Sequence, residues 1–176
     1  MIIRATNKLF NISGIKPIKN LNDLLDKMPG EWYANTVSIN RPGKFAIHFL
    51  HYPTFISILI PGKSLNKVIP FLPVRVSSLL SRNGLIKLET QFQLDSEPEI
   101  FSTNSRSMIA HMNQIRYNIE FHLALAESIE SIDYNKIEDI HLNYIFGTPS
   151  KPGKYVKPKN LLADLSNNIG TIKPTK

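Results

Sequence analysis

The stretch EWYANTVSINRPGKFAIHFLHYPTFISILI, Glu31–Ile60, sets the architecture of this chain. It contains three runs rich in β-branched and aromatic residues, EWYANTVSIN, KFAIHFLHY and FISILI. Arg41-Pro42-Gly43 separates the first two runs, and Pro53-Thr54 separates the last two. Because Gly and Pro form tight turns, the pattern predicts an antiparallel meander of three strands. The apolar segment Phe45–Pro61 is too short, and too interrupted by His and Pro, to predict a membrane span.

Shorter elements are predicted on both sides of the meander. MIIRAT at the N-terminus predicts a first strand, and NLNDLLDKM, residues 20–28, has the apolar spacing of a helix. Ser64 can cap a helix beginning LNKVI, and Pro70 and Pro73 predict that this helix is broken into two parts. LIKLETQFQL, residues 85–94, alternates apolar and polar side chains and predicts a strand with one face in water.

The longest predicted helix spans residues 104–130, after a short strand, IFS, at residues 100–102. Seven positions follow a spacing of four and three, which is typical of an amphipathic helix that packs on a sheet. They are Met108, Met112, Ile115, Ile119, His122, Ala126 and Ile129. Residues 131–146 predict either a short helix or a strand.

The chain of 176 residues is predicted to form one α+β domain over residues 1–148. Its mainly antiparallel sheet is expected to be covered on one face by the long helix and shorter helices. Residues 149–176 contain six lysines and a single acid, Asp164, which places +5 of the net charge of +7 there. This segment predicts a basic, extended tail with a short helix near residues 158–165. Such a tail is a solvated end or a contact for nucleic acid.

Several classes of function lack support in the sequence. The chain has no cysteine, so disulfide and thiolate chemistry are excluded. His111 and His122 are 11 residues apart, or about 16 Å on one helix, which is too far to share a metal ion. Phosphate loops, dinucleotide-binding motifs and nucleophile elbows are missing from the sequence. We therefore predict no metal and no cofactor. Arg4 and Lys8 interrupt any signal-peptide core, so we expect a cytoplasmic protein without a membrane partner.

The segment TNSRS, residues 103–107, is the most informative polar cluster. Thr103, Asn104 and Ser105 are all good helix caps, and Arg106 then falls in the first helical turn. A cation opposes the positive end of the helix dipole there, at a cost of roughly 0.3–1 kcal/mol. Two explanations stay open. Glu97 or Glu99 can pair with Arg106, or Arg106, Ser105 and free backbone amides can bind a phosphate or carboxylate.

Three segments carry a resemblance to a known family. They are IIRAT-KL at residues 2–9, GEWYAN at residues 30–35 and TNSRSMIAHMN at residues 103–113. The chain resembles a group of small bacterial proteins known only as a domain of unknown function, with RAT-KL, (G)DWYAN and TNSRS-xxxxMN motifs. Glu31 stands where the second motif has Asp.

The resemblance implies that six residues belong together, and strand and helix placement allows Arg4, Asn35 and Arg106 among them to meet at one end of the sheet. They are Arg4, Trp32, Asn35, Asn104, Arg106 and Asn113. Trp32 and Tyr33 lie on opposite faces of one predicted strand, and Asn35 shares the face of Tyr33. Two interpretations stay open, a packed aromatic residue beside a polar group, or a stacking platform with a hydrogen-bonding amide beside it.

Three functional hypotheses follow. The first is a non-catalytic binding or regulatory protein, connected with mobile elements or defence, which recognises a protein or an anionic ligand. The second is a metal-independent enzyme acting on RNA or a nucleotide phosphate, with Arg4 and Arg106 on the phosphate and His111 as general acid or base. The third is nucleic-acid binding by the basic tail. The sequence leaves the oligomeric state open.

Overall fold

The computed structural model describes residues 1–18, 30–39, 41–147 and 154–170, with the side chains of the last segment described as far as Asn167. The helix predicted at residues 20–28 lies outside the described residues, as do residues 148–153, which include the start of the predicted tail. None of the described helices is both long enough and apolar enough to cross a membrane.

Five strands form one mixed sheet. They are β1 (Ile2–Ala5), β2 (Glu31–Ser38), β3 (Phe45–Tyr52), β4 (Ser57–Pro61) and β5 (Glu99–Ser102), in the spatial order β4-β3-β2-β1-β5. The predicted meander is confirmed, because β2, β3 and β4 pair antiparallel in sequence order. β1 lies parallel to both β2 and β5. The antiparallel ladders are the longer ones, so the predicted α+β class with a mainly antiparallel sheet is confirmed.

Helices fill the connections between these strands. α1 (Asn7–Ser13) follows β1, and α2 (Leu65–Val68), a 3₁₀ turn (Ile69–Phe71) and α3 (Leu72–Arg82) follow β4. A 3₁₀-helix (Ile86–Phe92) precedes β5, after which come α4 (Arg106–Ala124) and α5 (Tyr134–His141). The chain continues with β6 (Phe146–Gly147), β7 (Tyr155–Val156) and α6 (Pro158–Gly170). The predicted break at Pro70 and Pro73 is confirmed as the 3₁₀ turn between α2 and α3.

The sheet buries both of its faces. On one face Ile3, Trp32 and Phe49 pack with residues of α1, α3 and the 3₁₀-helix. On the other face Tyr33 and Leu50 pack with residues of α4 and α5. Strands β2 and β3 are buried along nearly their whole length, as a doubly covered sheet requires.

The predicted strand at residues 85–94 is wrong, because Ile86–Phe92 is a 3₁₀-helix. Leu88 and Phe92 are fully buried and face the same core. Their separation of four residues also fits alternating strand positions. Gln93 then has a left-handed backbone with φ 51°, which ends the helix and turns the chain. Alternation over a short segment therefore did not distinguish the two structures.

The predicted long helix is confirmed, with shorter bounds. It begins at Arg106 and ends at Ala124, so Ala126 and Ile129 lie beyond it. Near the end of α4 the buried residue is Leu123, which is 1% exposed, and not the predicted His122. The difference arises because an α-helix drifts relative to a strict seven-residue repeat.

The described part of the predicted tail packs on the domain. β7 pairs antiparallel with β6, and α6 begins at Pro158, in the first-turn position that proline favours. Leu162 of α6 is fully buried in the core that contains Trp32. Where the sequence predicts a short helix near residues 158–165, α6 spans Pro158–Gly170.

Candidate functional site

Arg4 is bonded within the fold rather than open to a ligand. It is 2% exposed, and its Nε and Nη2 each lie 2.9 Å from Oε1 of Glu31, which is fully buried. The hydroxyl of Tyr33 donates to Oε2 of the same carboxylate at 2.9 Å. The guanidinium also lies 5.7 Å from the ring centre of Phe101. Arg4 therefore neutralises Glu31 and links β1 to both neighbouring strands.

Trp32 and Asn35 lie on opposite faces of β2, so the structure does not bring them together. Trp32 is fully buried and packs against the rings of His51 and Phe92, with ring centres 4.8 Å and 6.0 Å away. Asn35 shares the face of Tyr33 and is 7% exposed. Its Oδ1 is buried without a hydrogen-bond partner in the described part of the chain. Trp32 thus packs in the core and does not offer an open stacking platform.

The start of α4 carries the cation that the sequence predicts there. Ser105 is the N-cap, and its Oγ accepts a hydrogen bond from the Met108 amide at 3.3 Å. Arg106 is exposed in the first turn, which contains no acidic residue. Among the described residues its guanidinium has no ion pair or hydrogen bond, so neither Glu97 nor Glu99 compensates it. The first of the two explanations for Arg106 does not hold in this structure.

The remaining predicted site residues lie just before α4 or along it. Asn104 precedes the helix and Asn113 lies on its outer side, and both are exposed. His111 is 7% exposed, and its Nε2 lies 2.8 Å from the carbonyl oxygen of Gly147. Its ring lies edge-on to the ring of Phe55, with centres 5.0 Å apart. The contacts of His111 therefore join α4 to β6 and to the turn between β3 and β4.

A buried ion cluster escaped the sequence analysis. Glu138 of α5 is fully buried and accepts hydrogen bonds from Arg75 Nη2 at 2.7 Å, Arg82 Nη2 at 2.8 Å and the Leu59 amide at 2.9 Å. Arg82 also bonds Asp139 at 2.9 Å. Burial raises the pKa of the Glu138 carboxyl, and the charge of Arg75 opposes that shift. This cluster joins α3, β4 and α5.

Three histidines are buried in the neutral form. Burial lowers the pKa of His48, His51 and His141 to about 3, and the mutual repulsion of His48 and His141 adds to the shift of His48. His48 Nε2 lies 3.1 Å from Ser57 Oγ, and His141 Nε2 lies 2.9 Å from Asn118 Oδ1. In the described residues no group of three His, Asp or Glu side chains could hold a metal ion.

Comparison with known proteins gives a family but no activity. The sequence profile of the family described as "Domain of unknown function (DUF6933)" matches residues 2–161. The chain belongs to this family. The match confirms the resemblance inferred from the three motifs, and it extends through β7 into α6 of the DUF6933 fold. No curated protein matches the chain.

Proposed function

We propose that this DUF6933 chain is a non-catalytic binding protein that takes an anionic group, a phosphate or carboxylate of a ligand or protein partner, at the start of α4. The observation that carries the proposal is Arg106. It is an exposed guanidinium in the first helical turn, and no acidic partner offsets it within the described chain.

The chemistry of the helix start supports an anion as the ligand. A cation there costs roughly 0.3–1 kcal/mol, and a bound anion removes that cost while it also interacts with the helix dipole. Arg106 presents forked donors that match a carboxylate or phosphate edge. Ser105 fixes the first turn through its bond to the Met108 amide, so the backbone beside Arg106 is held in place.

The two other hypotheses have less support. Arg4 is paired with Glu31, and the Nε2 of His111 is bonded to Gly147, so neither observation favours phosphate chemistry at these groups. Nucleic-acid binding by residues 149–176 would use lysines whose segment is partly folded onto the domain through Leu162. The experiment below therefore includes results that would favour each of these two hypotheses instead.

The experiment is a titration with inorganic phosphate at low ionic strength, followed residue by residue through backbone amide resonances. We expect shifts centred on residues 104–108, and we expect Arg106→Ala to abolish them. Arg116→Ala is the matched control, because Arg116 lies on the same helix, 3.9 Å from Glu120 and 5.0 Å from the ring centre of Tyr117. That variant should bind phosphate as the native chain does.

Three results would contradict the proposal. Shifts that survive Arg106→Ala would place the anion elsewhere. Shifts centred on residues 154–167 would favour the basic tail. Release of products from an added RNA oligonucleotide by the native chain, lost in His111→Asn, would favour the enzyme.

A further inference from the structure

Three exposed apolar side chains form a ridge on the outer side of α4. Tyr117, Phe121 and Leu125 are spaced four residues apart, so they follow one another along one face of the helix. Their exposed fractions are 68%, 59% and 65%. Single exposed apolar residues are common on protein surfaces, whereas a contiguous row of large ones is typical of an interaction site. We call these three residues the α4 ridge.

A groove lies beside the α4 ridge, between the end of α4 and α5. It measures about 350 Å³, and Leu125, Ile132, Ile137 and Ile140 give it apolar walls. Because Leu125 belongs to both features, the α4 ridge and this α4–α5 groove form one continuous apolar surface. The residues that line the groove, and their neighbours in the chain, all lie within the described range 41–147.

Charged side chains of opposite sign flank the α4 ridge and the α4–α5 groove. Glu120 precedes Phe121 on α4, and its carboxylate lies 3.9 Å from Nε of Arg116, at the outer limit of an ion pair. Lys136 lines the groove, is exposed and forms no ion pair with another described residue. Asp133 on the same wall already accepts a hydrogen bond from the Lys136 amide at 2.9 Å. An acid beside the ridge and a base beside the groove are thus available to a partner.

A surface with a ridge and a groove side by side is complementary to a second copy of itself. In a closed two-fold dimer both copies use the same patch, so each contact between two different positions occurs twice. The α4 ridge of one copy can fill the α4–α5 groove of the other, and the reverse contact forms at the same time. An unrelated partner would have to present both a groove and a ridge of its own, whereas a second copy supplies both.

The exposed area is sufficient for a small dimer interface. Aromatic side chains cover about 150–250 Å² each, so the exposed parts of Tyr117 and Phe121 together offer on the order of 250 Å². Leu125 and Ile140, which is 38% exposed, raise the apolar patch to about 400 Å², within the range of functional surface patches. Two copies then bury about 800 Å² of apolar surface, to which the groove walls and charged side chains add. Specific interfaces typically bury about 1,200–2,000 Å², so we expect a weak dimer.

We infer that the chain forms a two-fold symmetric dimer in which Phe121 of each copy inserts into the α4–α5 groove of the other. Glu120 of each copy pairs with Lys136 of the other. The inference goes beyond the anion site and does not depend on it, because Phe121 lies 15 positions, or about 22 Å, from Arg106 along α4.

The experiment is sedimentation velocity of the full chain at neutral pH, over a concentration series from low micromolar to several hundred micromolar. We expect the mass to rise from that of the monomer to twice that value. Phe121→Ser should stay monomeric throughout the series, and circular dichroism checks that it folds. Phe71→Ser is the matched control, because Phe71 is 58% exposed and lies in the 3₁₀ turn before α3. That variant should dimerise as the native chain does.

A charge swap tests the polar contact separately. Glu120→Lys and Lys136→Glu should each weaken the dimer about tenfold, because each substitution places two like-charged contacts across the two-fold interface. The double variant, which carries both substitutions, should regain most of the native affinity. Glu120 is partly exposed and Lys136 is exposed, so these variants test the interface even if Phe121→Ser does not fold.

Four results would overturn the inference. A monomer at every concentration would mean that a different protein, or nothing, covers the α4 ridge. Dimerisation that is unchanged in Phe121→Ser, or lost equally in Phe71→Ser, would place the interface elsewhere. A double charge variant that dimerises no better than either single variant would show that Glu120 does not meet Lys136. Growth beyond the dimer would indicate open head-to-tail assembly instead of a closed two-fold pair.

Discussion

The ion cluster around Glu138 and the start of α4 differ in how far their charged side chains are paired within the fold. Both oxygens of Glu138 accept hydrogen bonds from donors of the fold, and Arg82 reaches Asp139 as well. Arg106, by contrast, is exposed and has no partner among the described residues. The first arrangement holds three elements together, whereas the second leaves a charge available to a molecule from outside.

The comparison teaches that the number of polar groups in a region says little about function. The cluster around Glu138 is the richest in charge, yet every atom of that carboxylate is already used. The complete hydrogen bonding of this buried carboxylate avoids the cost of an unpaired charge between α3 and α5. Residual capacity for hydrogen bonds at an exposed group is the better guide, and it points to Arg106.

Acid pH should produce the largest loss of stability, because it favours protonation of histidines that are buried on both faces of the sheet. His48, His51 and His141 have a pKa of about 3 in the fold against 6.5 when exposed. The unfolded chain therefore binds more protons below pH 6.5, and the stability that is present above this pH is lost as the pH falls. Each histidine loses about 2 kcal/mol between pH 6.5 and pH 5, so three approach a typical total stability of about 5–15 kcal/mol.

We therefore expect cooperative acid unfolding between about pH 5 and pH 4, well before the buried groups titrate in the fold. Circular dichroism and Trp32 fluorescence measured against pH give the midpoint. A chain that stays folded at pH 3 would show that these histidines are not buried in the neutral form. His51→Phe should move the midpoint to lower pH, and His122→Asn, on a partly exposed position of α4, should not.

Glu138→Ala should give the next largest loss of stability, because it removes the carboxylate at the centre of the ion cluster. Removing one partner of a buried ion pair typically costs about 3–5 kcal/mol. We expect the lower end, since the side chains of Arg75 and Arg82 are 24% and 21% exposed and can regain some water. Urea unfolding at neutral pH measures the loss.

Asp139→Ala is the matched change one residue along α5. Asp139 is 40% exposed and shares Arg82, so its loss should cost about 1 kcal/mol or less. Equal losses for the two variants would mean that Glu138 is not the centre of the cluster.

Local patterns predicted most of the fold. The meander from β2 to β4, the broken α2–α3 pair and the long α4 all follow from turn residues and apolar spacing between near neighbours. Residues 85–94 failed because alternation over a few residues is compatible with a 3₁₀-helix. The parallel placement of β1 between β2 and β5 was not predictable, because nothing local specifies which strands pair across long connections.

The candidate sites were less predictable for the same reason. Arg106 and the Ser105 cap were found from the sequence, because capping is a local property. The ion cluster joins residues 56 and 63 positions apart, and the one local signal is that Arg75 and Arg82 are spaced by two helical turns.

A smaller effect, of opposite sign, is expected at Arg106, which has no partner within the described chain. Arg106→Ala should stabilise the isolated protein by about 0.3–1 kcal/mol at low ionic strength, because it removes a cation from the positive end of the α4 dipole. Arg106→Glu should stabilise it further. Urea unfolding at low salt and in 1 M NaCl measures the gain, which should shrink in high salt because exposed charges are screened.

Arg116→Ala allows the stability effects of two arginines on the same helix to be compared. Arg116 lies near Glu120 at a favourable helical spacing and over the ring of Tyr117, so its removal should destabilise the chain by about 0.2–0.5 kcal/mol. Opposite signs for the two arginines would show that Arg106 lowers the stability of α4, as expected of a residue with a role outside folding. A loss of stability in Arg106→Ala would mean that the side chain stabilises the fold, and the case for an anion site at this helix would then fail.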